Sequence, residues 1–377
     1  MTARARHFPR TGLALALLLL LPQTGSALLN IDGTRNQVFV FGSASFGWDS
    51  NLFAENTGRG DYTFSAQTGV EIKRRAGIIG VNATGTLDYL GFGKYREQNA
   101  WNPSFSLELN KTTGRTTGAL TVQAFRSSKA DSAVNLRTQS WNFPLGLNLK
   151  YPINDNYYLS SQTNYLNRRY VDAAGLTNFT DISEGVDIFY TWTSKTDLFA
   201  GYRIRYSETA LGTSTDHSFS LGATGGLFAK MNGTIRAFYQ LRRLGYTGES
   251  FNQVGASASV NWNLSQKVNL AGQIARDFNT AATGVTVDSS STSLNAYYIF
   301  TRRFQANAGV SYGRNRFVGR NQPARQDDFF SWDLGASFTW NEHLKMGGSY
   351  TYLHNWSTLA FSDFERHGVT FDISSRF

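Results

Sequence analysis

Residues 330–340 read FSWDLGASFTW, a stretch in which every second residue is apolar. A β-strand places successive side chains on opposite faces, so this alternation predicts a strand with one apolar and one polar face. The same period of two recurs over residues 62–73, 254–264 and 304–313, and no convincing helical stripe competes with it after residue 27. The sequence therefore predicts an all-β chain.

The connections between these strands alternate in length. Short turns are predicted at one end of the strands, near residues 75–77, 112–115, 153–156, 194–196, 229–232, 265–267, 301–303 and 341–343. Longer polar segments are predicted at the other end, near residues 49–61, 96–102, 128–140, 171–180, 210–216, 247–251, 280–287, 318–327 and 357–364. This layout is typical of a transmembrane, antiparallel, up-and-down β-barrel with both termini in the periplasm, here of about 18 strands, with about 16 as the alternative.

The composition agrees with a barrel that faces lipid on one side and water on the other. Aromatic residues make up 14% of the chain and glycine contributes 36 residues, yet the mean hydropathy is −0.32. A soluble sandwich or propeller is the competing architecture. However, Trp192, Trp262 and Trp340 lie near the predicted short turns, where a membrane barrel has its periplasmic aromatic girdle. The absence of cysteine excludes a disulfide scaffold.

The N-terminus has the pattern of a secretory signal. Arg4, Arg6 and Arg10 precede a short apolar run over residues 13–21, and small residues follow up to Ala27. This run is much shorter than the roughly 20 apolar residues that span a bilayer as a helix. We therefore expect residues 1–27 to be removed and residues 28–377 to form one outer-membrane barrel in a Gram-negative bacterium.

The charges do not indicate a nucleic-acid partner. The chain has a formal net charge of +9, to which the three arginines of the predicted signal contribute. The remaining charges are spread along the chain without the basic cluster or recognition motif that nucleic-acid binding requires. Outer-membrane lipid is the expected surrounding instead.

No residue pattern predicts an enzyme, a cofactor or a metal site. Asp49 and Asn51 match the start of a calcium loop, but Phe53 occupies the next ligand position. A serine hydrolase would need a histidine placed beside its nucleophile. No lipase or protease signature surrounds the histidines of the mature chain, which are His217, His343, His354 and His367.

The polar faces of the strands should line the lumen. They contain six predicted pore-lining cations: Lys73, Lys150, Arg203, Arg205, Arg236 and Arg242. A ladder of arginines favours anions in a pore. Alternatively, these cations pair with inward acids such as Asp187 and Asp333 and only keep the lumen wet. Both interpretations are open from the sequence.

Inward aromatic side chains are the second predicted feature of the lumen. They are Phe125, Phe189, Phe199, Phe228, Phe238 and Tyr297, interpreted either as stacking surfaces for sugars or as packing under folded-in loops. A barrel of this size leaves an aqueous channel unless something fills it. Only residues 28–37 precede the first predicted strand, so we expect no plug domain.

The C-terminal strand resembles the sorting signal that the outer-membrane assembly machinery reads on β-barrel proteins. Residues 368–377 read GVTFDISSRF and end on an aromatic residue. The resemblance implies that Phe371, Ile373 and Phe377 form the assembly signal and that the barrel-assembly machinery is a partner.

The first predicted hairpin also resembles a known family. Residues 46–53 read FGWDSNLF, and a strand that ends in Asp-x-Asn-Leu-Phe soon after a signal resembles the β-barrel porin type 2 family, which includes the EpsL-like proteins of exopolysaccharide operons. The resemblance implies an outer-membrane barrel in which Asp49, Asn51, Leu52 and Phe53 form a structural turn at the outer rim. It supplies no catalytic residues.

Three functions are compatible with these observations. The first hypothesis is a passive conduit that assists export of an acidic or neutral extracellular polysaccharide, with the polysaccharide and export-complex proteins as partners. The second is a general or solute-uptake porin, and the third is a structural or adhesive barrel without transport. The sequence does not specify the solute or the oligomeric state.

Overall fold

The computed structural model describes residues 36–171, 175–319 and 324–377, so the predicted signal lies outside the described residues. These ranges contain eighteen β-strands and two single-turn 3-10 helices, Arg96–Gln98 and Ala360–Ser362. The strands are β1 (Asn36–Asp49), β2 (Asp61–Ala76), β3 (Ile79–Phe92), β4 (Ala100–Lys111), β5 (Thr117–Asp131), β6 (Leu136–Pro152), β7 (Tyr157–Val171), β8 (Phe179–Thr191), β9 (Thr196–Thr209), β10 (Gly212–Phe228), β11 (Met231–Leu244), β12 (Ser250–Asn263), β13 (Val268–Thr280), β14 (Thr286–Ile299), β15 (Phe304–Val318), β16 (Gln326–Thr339), β17 (Leu344–Ser357) and β18 (Phe364–Arg376).

The strands form one closed antiparallel barrel, which confirms the predicted fold class. Each strand pairs with its neighbours in sequence, and β18 pairs with β1 to close the ring. The strand predicted over residues 330–340 lies in β16, with Trp332 opposite Val310 on one side and Tyr352 on the other. No helix in the described ranges has the length and hydrophobicity needed to cross a bilayer.

The two faces of the barrel follow the alternation in the sequence. Large apolar side chains such as Leu334, Phe371 and Trp340 are exposed on the outer face, where lipid would cover them. Buried apolar residues are few, and one small cluster of Leu52, Phe53 and Phe92 lies at a barrel rim. The alternating pattern therefore encodes a lipid-facing surface rather than a globular core.

The barrel has a short-turn end and a long-loop end, at the predicted positions. Two of the predicted long loops are nevertheless wrong in extent. Residues 128–140 contain only a four-residue connection between β5 and β6, and residues 210–216 contain a two-residue turn between β9 and β10. Their polar flanks continue as paired strand, because the ladder is formed by backbone groups and threonine is itself a favoured strand residue.

The two chain ends meet at the closing seam. The backbone amide of Val40 donates to the Phe377 carbonyl (3.1 Å), and the Phe377 amide donates to the Val40 carbonyl (2.9 Å). The Phe377 ring also stacks on His343. The predicted assembly signal thus lies in the strand that completes the ring.

Candidate functional site: an ion-paired constriction inside the barrel

An interruption of the ladder between β12 and β13 creates the candidate site. β12 and β13 pair only from Ala258↔Ile274 down to Asn263↔Asn269, near the short-turn end. Above this point, residues 250–257 of β12 pair only with β11, and residues 275–280 of β13 pair only with β14. We call residues 275–290, the upper part of the β13–β14 hairpin, the tucked hairpin.

The tucked hairpin lies across the inner face of β9–β11. Asp277 of β13 accepts hydrogen bonds from Arg205 of β9 (3.0 and 3.1 Å) and from Gln240 of β11 (2.9 Å). In a regular barrel, β10, β11 and β12 lie between β9 and β13, and neighbouring strands are about 4.8 Å apart. At that distance along the wall, Arg205 could not hydrogen-bond Asp277. The upper part of β13 must therefore leave the wall and enter the lumen.

Two arginines bind the upper part of β13, where β12 is no longer its partner strand. Arg205 donates to the carbonyl of Phe278 (2.6 Å), and Arg242 donates to the carbonyl of Asn279 (3.4 Å). The Arg242 guanidinium also lies 5.3 Å from the centroid of the Phe278 ring. Charged side chains thereby donate to backbone carbonyls of a strand segment that has a ladder partner on one side only.

A single carboxylate holds both arginines in place. Asp216 of β10 accepts from Nε of Arg205 (2.6 Å) and from Nε and Nη2 of Arg242 (2.5 and 2.9 Å). The Arg242 side chain is 1% exposed. Removing one partner of a buried ion pair leaves an uncompensated charge, which costs about 3–5 kcal/mol. Arg205, Asp216, Gln240, Arg242 and Asp277 are called the arginine lock below.

The tip of the hairpin contacts loops on the opposite side of the lock. The amide of Thr177, between β7 and β8, donates to the Ala282 carbonyl (2.8 Å). Gly284 has a φ of +81° and lies against Leu211 of the β9–β10 turn, so a side chain there would meet both backbone strain and a close neighbour. The hairpin is therefore anchored at its base and at its tip.

A second group of contacts crosses the long-loop end of the barrel. Arg325, next to β16, donates to the carbonyls of Ser132 and Ala133 in the β5–β6 loop (2.7 Å each). In a ring of eighteen strands these two loops lie on opposite sides, so the contacts span the mouth. Asn135 of the same loop bonds Ser362 of the β17–β18 loop (2.6 Å) and the Ala54 carbonyl of the β1–β2 loop.

The outer-rim motif belongs to this mouth structure. Asp49 forms an ion pair with Arg366 (2.5 Å) and accepts from the amide of Asn51 (2.9 Å). The Asn51 side chain, almost fully buried, donates to the carbonyl of Glu365 in β18 (3.1 Å). Leu52 and Phe53 are buried in the small apolar cluster at this rim. The motif fastens the β1–β2 loop to the closing strand.

A charge pair inside the same loop adds to this order. The guanidinium of Arg59 forms a hydrogen bond with Glu55 and lies 3.9 Å from the Phe53 ring centroid. The hydrogen bond from Arg59 lowers the pKa of Glu55, so the pair stays ionised in mildly acidic surroundings.

The predicted pore-lining cations all lie on the inner face, but they differ in exposure. Arg203 and Arg236 stay partly open to the lumen, with side chains 38% and 30% exposed, and pair with Asp277 and Asp187. For Arg205 and Arg242 the expectation is corrected, because the tucked hairpin buries both instead of leaving them in an open lumen. All four arginines have a carboxylate partner within 4 Å.

The two predicted lysines lie lower, toward the short-turn end. Lys73 pairs with Glu71 (3.2 Å), and Lys150 sits 3.6 Å from the centroid of the Tyr158 ring. Tyr158 in turn stacks on Phe189, with ring centroids 4.5 Å apart. Their neighbours are thus a carboxylate in one case and an aromatic face in the other.

Two of the predicted inward phenylalanines pack against glycine. Phe199 lies over Gly222, and Phe238 lies over Gly255, each on the residue directly opposite in the next strand. Both rings are buried. Phe228 was predicted to point inward, but a register shift after Gly226 moves it off the inner set and leaves it exposed.

Sequence reasoning missed the acids and the amide of the arginine lock. Asp216, Gln240 and Asp277 occupy inward positions of their strands, so the period of two would have found them as neighbours of the arginines. Nothing in the period marks the ladder break that brings Asp277 to Arg205. No cluster of three or more His, Cys, Asp or Glu side chains able to hold a metal occurs in the described ranges.

Comparison with known proteins supports the family and the fold. A family model described as "Putative beta-barrel porin 2" matches residues 214–377. This match confirms the family resemblance, although it lies at the other end of the chain from the motif that suggested it. None of the curated proteins matches the chain.

Several solved outer-membrane proteins share the fold at low sequence identity. The outer membrane protein OpdK of Pseudomonas aeruginosa is 9% identical, with a TM-score of 0.52 over 90% of this chain and 99% of its own. OccAB3 of Acinetobacter baumannii is 10% identical, with a TM-score of 0.51 over 91% and 99%. The FrpB iron transporter of Neisseria meningitidis is 11% identical, with a TM-score of 0.52 over 93% and 82%. The fold is therefore porin-like.

Proposed function

We propose that this chain, whose residues 214–377 match the family model of the β-barrel porin 2 family, is a selective outer-membrane channel for small polar solutes. The observation that carries the proposal is the narrowing of the lumen at two levels. Arg325 and the β5–β6 loop cross the mouth, and the tucked hairpin occupies the space inside β9–β11. A barrel of this size would otherwise hold a wide aqueous channel.

Arg203 and Arg236 are the proposed contacts for the charged groups of a passing solute. They are the partly exposed members of the predicted arginine set, while Arg205 and Arg242 are committed to the lock. Because each is already paired with a carboxylate, we expect only weak preference for anions over cations. The carboxylate partners of these arginines favour the interpretation that the lumen charges are paired over that of a free basic ladder.

The second candidate function is assistance in the export of an extracellular polysaccharide, which the EpsL-like resemblance implies. A polymer would have to pass both the mouth contacts and the tucked hairpin, so this function requires both to open. The narrowed lumen therefore favours small solutes over a polymer.

Liposome swelling with solutes of graded size tests the leading proposal. We expect monosaccharides and small organic acids to enter liposomes that contain the folded protein and larger oligosaccharides to be excluded. Heat-unfolded protein is the control. Absence of entry by any solute would contradict transport and favour a structural or adhesive barrel.

The export alternative is tested in a strain that lacks the chain. Loss of surface and secreted polysaccharide, restored by the intact gene, would favour export over solute uptake. Unchanged polysaccharide together with liposome entry of small solutes would support the channel proposed here.

Charge changes at the exposed arginines test the proposed solute contacts. Arg203→Glu is expected to shift the reversal potential toward cations in bilayer recordings, since it leaves Asp277 with one cation fewer. Lys111→Glu, at the short-turn end of β4, is the matched control. Equal shifts of the reversal potential in both variants would contradict a position of Arg203 in the solute path.

A further inference from the structure

The free edges left by the ladder break are matched in register. Continuing the Ala258↔Ile274 register upward by two residues places Ala256 opposite Arg276, and by four residues places Val254 opposite Phe278. Both strands remain regular over these residues, because β12 extends from Ser250 and β13 extends to Thr280. The local backbone conformation therefore already suits renewed pairing of β13 with β12.

The upper part of β12 has an unpaired edge, which is energetically unfavourable. Residues 250–257 have a partner strand on one side only, and the side chain of Val254 is 71% exposed on the outer face. Backbone groups without a hydrogen-bond partner are unfavourable wherever lipid or protein keeps water away from them. One contact replaces part of the ladder, since Nη1 of Arg276 donates to the Val254 carbonyl (2.9 Å).

The alternation in β13 matches pairing in the wall. Leu270, Ile274 and Phe278 lie on the same face of the strand, and Ile274 is exposed on the lipid side. Arg276 lies between Ile274 and Phe278 on this face and is its charged exception, paired with Asp288 (3.1 Å). Phe278 continues this lipid-facing set, yet it is 2% exposed beneath Arg242. A residue patterned for lipid but buried in the lumen fits a strand that has two positions.

We propose that the tucked hairpin is a gate, and that β13 alternates between the tucked position and renewed pairing with β12. The tucked position is held by the arginine lock, and the paired position is held by backbone hydrogen bonds along residues 252–257 of β12. Each position satisfies groups that the other leaves unpaired, which is the condition for a two-state element. Pairing with β12 withdraws Asp277 from β9–β11 and widens the lumen.

This inference deepens the proposed function, on which its consequence for transport rests. The position of the hairpin itself is measured independently of any transport. The chain contains no cysteine, so pairs of introduced cysteines report on the two positions without background.

Ala256→Cys with Arg276→Cys reports the paired position. The control is Ala258→Cys with Ile274→Cys, which is two residues lower, on the same face and of the same pair type, in the part of the ladder that is already formed. We expect both pairs to form a disulfide when membranes are oxidised, the control rapidly and the reporter more slowly. Cross-linking of the control alone would overturn the gate.

Thr177→Cys with Ala282→Cys reports the tucked position and leaves every residue of the lock unchanged. The backbone contact between these residues places their Cα atoms at a separation compatible with a disulfide. We expect oxidised channels to stay at one low conductance level, and reductant to restore transitions to a level about twofold or more higher, as a wider channel predicts. Identical recordings before and after reduction would contradict the gate.

The two proposals fail in different ways. A protein that forms the Ala256→Cys/Arg276→Cys disulfide but never conducts retains the gate and loses the transport function. A protein that conducts small solutes but never forms this disulfide retains the channel and loses the gate. The Arg276→Cys single variant, which loses the bond to the Val254 carbonyl but has no second cysteine to pair with, separates the effect of the missing guanidinium from the effect of the disulfide.

Discussion

The lower and upper parts of the β12–β13 pair are held together in different ways. In the half nearer the short turns, backbone ladders join neighbouring strands, including β12 and β13, and the connections are short. In the half nearer the long loops, the β12–β13 ladder ends and side chains take over, with Arg205 and Arg242 bonding the carbonyls of Phe278 and Asn279. A ladder needs only alternation, whereas its interruption needs specific charged residues to satisfy the freed groups.

The closing seam gives the same lesson. β1 and β18 come from opposite ends of the chain, yet they pair from Asp49↔Gly368 to Phe41↔Arg376. β12 and β13 are joined by a short turn and pair over a shorter stretch. Proximity in sequence therefore does not decide which ladder of this barrel is interrupted. The contacts that β13 makes inside the lumen decide it.

The largest effect is expected from Asp216→Ala, which removes the carboxylate shared by Arg205 and Arg242. Two buried guanidiniums lose their main counter-charge, so we expect a loss of about 3–5 kcal/mol in the free energy of unfolding. Urea titration of the reconstituted protein, followed by heat-modifiable gel migration, measures it. Asp333→Ala is the control, because Asp333 has an amide donor, Asn307, as its partner. Equal losses in the two variants would mean that the lock adds nothing special to the upper half.

A smaller effect is expected from Gly255→Ala. A Cβ at this position would lie 2.6 Å from the Phe238 ring, which must then move out of its packed position. Overpacking of this kind costs about 1–3 kcal/mol. Gly85→Ala is the matched control, since its Cβ would meet nothing within 4 Å. Thermal unfolding of both variants measures the difference, and an unchanged Gly255→Ala protein would show that Phe238 is not held against the wall.

Arg325→Ala should act locally on the mouth. It removes two hydrogen bonds to the β5–β6 loop, so we expect the local opening free energy to fall by roughly 1–3 kcal/mol. Limited proteolysis of residues 129–137 is the measurement, with faster cleavage than in the wild type. Arg302→Ala, in an exposed short turn, is the control, and similar cleavage rates in both would contradict a mouth held by Arg325.

The smallest effect on stability is expected from Phe377→Ala. The backbone bonds of residue 377 to Val40 remain, so we expect a change of less than about 1 kcal/mol in purified protein. The amount of folded protein in the outer membrane should nevertheless fall, because the aromatic terminus is the predicted assembly signal. Leu344→Ala, in the neighbouring strand β17, controls for simple loss of an apolar side chain. If the amount of folded protein in the outer membrane is unchanged, Phe377 is not part of the assembly signal.

Much of the barrel was predictable from residues such as Trp332, Leu334 and Phe338. Their period of two is set by strand geometry alone, so it predicts the strand, its outer face and, repeated, the strand number. The inward position of Arg203 and Arg236 follows from the same period. The burial of Arg242 does not, because it depends on a hairpin arriving from β13 and β14.

The sequence by itself determined an antiparallel up-and-down barrel of about eighteen strands and the alternation of its inner and outer faces, because alternation and turn spacing are local properties of the chain. Only the tertiary structure decided that β13 leaves β12, that Asp216 holds Arg205 and Arg242, and that Arg325 reaches across the mouth. These contacts join residues far apart in sequence, and their stability depends on burial and on counter-charges supplied by other strands.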